Sequence, residues 1–194
     1  TVAIAAGLFV WAAAMLNPLC LALSPVALGW VCFYSFTKRF TRYAHVVLGL
    51  GLAIAPVGGY LAVTGAWSEP WWMLLVLTLA VTTWSAGFDI LYALPDVEFD
   101  RSQGLHSIPS ALGVPRALLV ARAFHVITVL ALAATVWTVG AGALAWVGVA
   151  VAAAILAYEH SLVTSDDLSK LDAAFFTMNG VISLLAVKKG ERVV

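Results

Sequence analysis

Long uninterrupted apolar runs, separated by short polar breaks, occupy the chain from end to end. Residues 1–37 contain no Asp, Glu, Lys or Arg, and neither do residues 123–158. As one helix the first run would be ~55 Å long at about 1.5 Å per residue, too long for a hydrocarbon core of roughly 30 Å. Asn17-Pro18 breaks it, and Gly140-Ala141-Gly142 breaks the second run. The same reading along the rest of the chain predicts seven membrane helices, at 1–16, 19–37, 43–64, 70–92, 113–138, 142–160 and 171–188. The runs are continuous rather than alternating, which argues against a transmembrane β-barrel. The expected fold is an all-α polytopic membrane bundle, with residues 1–194 forming a single transmembrane domain.

Composition agrees. Apolar residues make up 63% of the chain and charged residues 10%, against roughly 25% charged in a soluble domain. The net charge is zero, so nothing points to nucleic acid, and no protein partner is implied; the partner is the lipid bilayer. Cys20 and Cys32 both lie in apolar runs and read as small hydrophobes rather than a disulfide or metal pair. A signal peptide is excluded, since no basic segment precedes the first span and more spans follow. That first span is shorter than the usual ~20 residues, which predicts a chain beginning partway through a longer protein.

The loops set the orientation. Lys38, Arg39 and Arg42 lie in one loop, Arg101 and Arg116 in another, and Asp166, Asp167 and Lys170 in a third. The alternate loops near 17–18, 65–69 and 139–141 carry no Lys or Arg. The positive-inside rule puts the charged set in the cytoplasm, as in a bacterial inner-membrane protein. The terminal Lys188, Lys189 and Arg192 fall on the other side and conflict with this assignment.

Two charged clusters then share one face. In Asp96-Val-Glu-Phe-Asp100-Arg101 the two aspartates are four residues apart, one helical turn on a single face. That arrangement suits a hard divalent cation that also holds a diphosphate. Asp89 lies seven residues earlier, on the same stripe if a helix runs through Pro95; an acid beside an apolar span reads as functional. Glu98 points elsewhere and reads as solvated. In the other cluster, Tyr34 and Lys38 have one-turn spacing, followed by Arg39 and Arg42. These cations are either anchors at the lipid head groups or phosphate ligands. His45, His125 and His160 lack metal-ligand spacing and read as packing or interface residues, while His106 and Ser107 read as loop-structuring.

The run from Phe88 through Asp89, Tyr92, Asp96, Asp100, Arg101, Gly104 and His106 to Pro109 resembles the second aspartate motif of the UbiA superfamily of membrane prenyltransferases. Within it the 4-hydroxybenzoate polyprenyltransferase group is the nearest match. Tyr34-x-x-x-Lys38 matches that family's YxxxK element, and Leu16-Asn17-Pro18 and Tyr158-Glu159-His160 are also similar. The resemblance implies nine helices around a cavity, with two facing aspartate motifs that bind Mg²⁺-diphosphate. Residues 1–194 would then be spans three to nine, without the first motif. It further implies transfer of a polyprenyl group from polyprenyl diphosphate to a small aromatic acid, most directly 4-hydroxybenzoate in ubiquinone-type biosynthesis. Asp96 and Asp100 would bind the metal; Tyr34, Lys38, Arg42 and Arg101 would contact diphosphate. Asp89 would be a third ligand, a contact to the aromatic substrate or a group behind them. For Arg101, pairing with Asp100 stands as the other reading.

Rival readings remain at this point. The Asp96–Pro109 run also resembles prenyltransferases of the futalosine-type menaquinone route, which would make the acceptor a naphthoate. A membrane CDP-alcohol phosphotransferase needs an upstream DGxxAR, which the chain lacks, and a Gly where Tyr92 stands. A transporter would use Asp89 and Asp96 for cation or proton passage.

Overall fold

The computed structural model describes residues 1–164 and 168, and every regular element among them is helical. Six apolar helices follow the expected spans: α1 (Val2–Leu16), α2 (Pro18–Tyr34), α3 (Ala44–Thr64), α4 (Met73–Tyr92), α7 (Val114–Thr138) and α8 (Ala143–Leu162). Two short helices, α5 (Val97–Ser102) and α6 (Ile108–Leu112), lie in the loop between α4 and α7. Five of the six long helices have the length and composition to cross a bilayer; α1, with 15 residues, is shorter. The expected span 171–188, and Asp166, Asp167, Lys170, Lys188, Lys189 and Arg192, lie outside the described residues.

The first corner is built around Asn17. Its side-chain oxygen accepts from the Cys20 N–H at 2.9 Å and caps α2, and Pro18 occupies the first turn, where a missing N–H costs nothing. Its amide nitrogen donates to Leu61 O (2.9 Å) near the far end of α3, pinning the α1–α2 corner to that helix. Gly65, at φ 66°, closes α3 in a left-handed conformation that favours glycine.

α4 is the centre of the bundle, packed between α3 and α7. Both contacts are close. A Cβ on Gly49 would lie 2.4 Å from the Thr82 carbonyl oxygen, so α3 meets the α4 backbone there. A Cβ on Gly87 would lie 2.3 Å from the His125 ring of α7. Thr83 and Thr128 hydroxyls bond across the α4–α7 seam at 2.8 Å, so neither is left unsatisfied. Near the α4 C-terminus, Ile90, Leu91 and Leu94 form a buried cluster with Ile108, Ala117, Leu118, Ala121 and Val163, holding the 93–113 loop against the bundle.

Helix continuity is decided at two places. α4 stops at Tyr92, so Asp89 and Asp96 share no helical stripe. The turn tightens through Leu94 N–H to Leu91 O and Asp96 N–H to Ala93 O, and Pro95 has no N–H with which to continue. α2 likewise ends at Tyr34, and Thr37–Arg39 form a 3₁₀ turn. The buried Thr37 hydroxyl donates to Tyr34 O at 2.6 Å and satisfies the helix end there.

The close approach at Gly49 makes a stability prediction. Gly49→Ala must push backbone apart and costs about 1–3 kcal/mol, as overpacking does. Gly58→Ala on the same helix meets nothing within 4 Å; it gains up to about 1 kcal/mol from helix propensity. Thermal unfolding in detergent should therefore move in opposite directions for the two variants.

Candidate active site

The two charged loops meet. The backbone N–H of His106 donates to the Lys38 carbonyl at 2.8 Å, joining the loop after α2 to the loop after α4. Two crossings, α3 and α4, return the chain to its starting face, and this bond closes the circuit.

Asp96 stands at the N-cap of α5, exposed, with no side-chain capping bond. Asp100 is one turn on, since its N–H donates to Asp96 O at 2.8 Å. Asp100 is 3% exposed, and its Oδ2 is buried with no hydrogen-bond donor among the described residues. A buried carboxylate oxygen in that state is costly and calls for a cation or a proton. Glu98, between the two, is exposed. No group of three or more His, Cys, Asp or Glu gathers as a metal cage among the described residues. Two hard carboxylates one turn apart nevertheless fit a cation that completes its shell with phosphate oxygens and water, as Mg²⁺ does.

Asp89 lies three residues before the end of α4, half-buried. Its Oδ2 accepts from His45 Nδ1 at 2.7 Å. His45 is the second residue of α3 and fully buried. Its other nitrogen, Nε2, accepts from the Ile108 N–H at 3.3 Å, at the start of α6. A backbone N–H can only donate, so Nε2 carries the lone pair and Nδ1 carries the proton. One imidazole therefore joins α3, α4 and the carboxylate loop. In the sequence His45 reads only as a packing or interface residue. Its partner is 44 positions away, and the only local hint was a histidine opening a span beside the basic loop.

The cations are placed differently from one another. Lys38 is half-buried and makes no ion pair among the described residues. Tyr34 is half-buried at the C-terminal end of α2. Arg42 is exposed and held by Tyr43, whose hydroxyl accepts from Nη2 at 3.1 Å with the guanidinium 5.2 Å from the ring centre. Arg101 donates from Nε to Ser110 O at 2.9 Å, bracing α5 against α6, and forms no pair with Asp100. Arg39 lies over the Phe36 ring at 5.7 Å. Ser107 caps α6 in a reciprocal box with Ser110, so the loop-structuring reading of this residue matches its contacts.

Deeper in the bundle, His125 and His160 meet at 2.8 Å, Nδ1 to Nε2, although 35 residues separate them. His125 Nε2 lies 3.3 Å from Trp84 O, and the ring packs on Phe88 with centres 4.7 Å apart. No sequence spacing could announce this pair, because it is formed by two different helices.

The UbiA prenyltransferase family pattern matches residues 1–181. The chain belongs to this family. A 4-hydroxybenzoate octaprenyltransferase of Alkalilimnicola ehrlichii is 32% identical over 88% of the chain and 57% of that relative. One of the same description from Aromatoleum aromaticum is 31% identical over 89% of the chain and 57% of the relative. The apo structure of a UbiA homolog from Aeropyrum pernix K1 superposes with a TM-score of 0.83 at 30% identity, covering 97% of this chain and 70% of that one. The chain thus spans less than two thirds of the curated relatives' length. UbiA membership and five long apolar helices make the chain an integral membrane protein.

The capping box carries a local prediction. Ser107→Ala removes the acceptor for the Ser110 N–H and costs about 1 kcal/mol. Hydrogen exchange at Ser110 and Ala111 should then speed up about fivefold if opening is local, while α3 amides stay unchanged.

Proposed function

We propose that the protein transfers a polyprenyl group from polyprenyl diphosphate to a small aromatic acid, with 4-hydroxybenzoate as the acceptor in ubiquinone-type quinone biosynthesis. The observation that carries this reading is the junction of the two loops. It sets the half-buried Lys38 in the same layer as Asp100, whose buried oxygen lacks a donor. The family and its bacterial relatives support the reaction class and a location in the bacterial inner membrane, with the site toward the cytoplasm.

Asp96 and Asp100 would hold Mg²⁺, which when bound stabilises the charge on departing diphosphate. Lys38 binds the diphosphate oxygens directly, Tyr34 lies alongside, and Arg101 and Arg42 border the site from positions braced by Ser110 and Tyr43. The allylic C–O bond breaks and its electron pair leaves with diphosphate. The ring carbon ortho to the phenol then bonds the allylic carbon and gives up its proton to the departed diphosphate or to water. Asp89, held at the end of α4 by His45, orients the acceptor's hydroxyl. The surrounding apolar helices exclude water, which would otherwise capture the allylic centre.

The deciding assay is prenyl transfer by the full-length protein in nanodiscs, with 4-hydroxybenzoate and a hydroxynaphthoate offered in parallel. Product on the naphthoate alone would move the assignment to a menaquinone route. No product on either, with ion flux in liposomes, would return the transporter. Asp96→Asn and Asp100→Asn should each lower turnover about 10²-fold, as loss of a central electrostatic group does, with exposed Glu98→Gln milder. Lys38→Ala should raise KM for polyprenyl diphosphate more than for the acceptor; equal effects would make Lys38 a head-group anchor.

A further inference from the structure

We infer that His45 is a positioning residue, aiming Asp89 at the acceptor and tying that aim to the loop that bears Asp96 and Asp100. The inference rests on the prenyl-transfer reading for its chemistry but on geometry for its existence. His45 has no exposed surface, and both ring nitrogens are engaged, Nδ1 with Asp89 and Nε2 with the Ile108 N–H. The backbone donor fixes the tautomer, so the ring can offer Asp89 only a proton. That proton fixes Oδ2 and the plane of the carboxylate. Among the described residues Asp89 makes no second hydrogen bond, and its side chain stays 28% exposed, so Oδ1 is left for a ligand.

Ile108 opens α6, directly behind the Ser107 cap and six residues after α5 ends. A shift of the 93–113 loop therefore breaks the Nε2 bond and frees the ring that holds Asp89. The imidazole thus makes Asp89 sensitive to whether the metal-binding loop is seated, a role that partners lying behind reacting groups commonly serve.

The test uses the full-length protein in nanodiscs. His45→Ala should lower kcat about 10–100-fold, the usual loss when such a partner is removed, with KM for polyprenyl diphosphate within about threefold. His45→Gln carries an NH₂ that can donate to Asp89 and a carbonyl oxygen that can accept from Ile108, and should recover most of the loss. His45→Ala combined with Asp89→Asn should be no slower than Asp89→Asn alone, since both act through one carboxylate. Independently of turnover, exchange at the Ile108 amide should rise about tenfold in His45→Ala and stay near wild type in His45→Gln. If His45→Ala does not fold, His45→Asn serves in its place, keeping a donor for Asp89 while losing reach to Ile108. It should raise Ile108 exchange and retain part of kcat. Wild-type kcat in His45→Ala, or equal damage from Ala and Gln at unchanged stability, would overturn the inference. A wild-type protein that prenylates no aromatic acid would sink the reaction and leave the Ile108 exchange as the test of the link.

Discussion

The hydrogen bond from His45 to Asp89 is the constraint around which the charged end of this bundle is arranged. A carboxylate and an imidazole beside an apolar bundle must find partners there, because a buried polar group without one costs several kcal/mol. Asp89 near the end of α4 meets His45 at the start of α3, and the remaining ring nitrogen takes the first N–H of α6. Three segments distant in sequence are thereby fixed to one ring. The 93–113 loop is seated from below by this bond, from the side by His106 on Lys38 O, and from within by the Ile90–Leu94 cluster.

Close packing gives that arrangement its rigidity. Lipid is as apolar as a leucine side chain, so helices in a bilayer gain from near contact and interhelical hydrogen bonds rather than from burial. Gly49 and Gly87 let α3 and α7 press on α4, and Thr83 with Thr128 saturates the polar atoms at the second seam. Elsewhere the packing is looser. A cavity of about 520 Å³ lies among α1, α2 and α3, lined by Phe9, Leu16, Trp30, Ile54 and Leu61 among others. Its serine, Ser24, already donates to Leu21 O. This cavity is apolar, and Lys38, Asp89, Asp96 and Asp100 are not part of its lining.

That separation favours transfer chemistry over transport. A transport path needs polar groups strung through the bundle. Among the described residues, Lys38, Asp96 and Asp100 lie in the two loops joined by the His106–Lys38 bond, and Asp89 lies at the adjoining end of α4. The deeper His125 and His160 are bonded to each other, with His125 also beside a backbone carbonyl.

Much of this protein was determined by local sequence. Continuous apolar runs fixed the helices, because a run of ~20 such residues has no alternative in lipid. Asn17-Pro18 and Gly65 set the corners through capping chemistry. The Asp96–Asp100 spacing survives as one turn of α5, since four residues are enough to define it. α4 ends at Tyr92, ahead of Pro95, which has no N–H to extend it, and α2 ends at Tyr34, whose carbonyl takes the buried Thr37 hydroxyl. What the tertiary structure alone decided is which polar groups find one another. His45 reaches Asp89 across 44 residues, His125 reaches His160 across 35, and Arg101 turns to Ser110 O instead of its neighbour Asp100. A hydrogen bond is set by distance and direction in space, and the spacing of residues on separate helices carries no record of either until those helices pack.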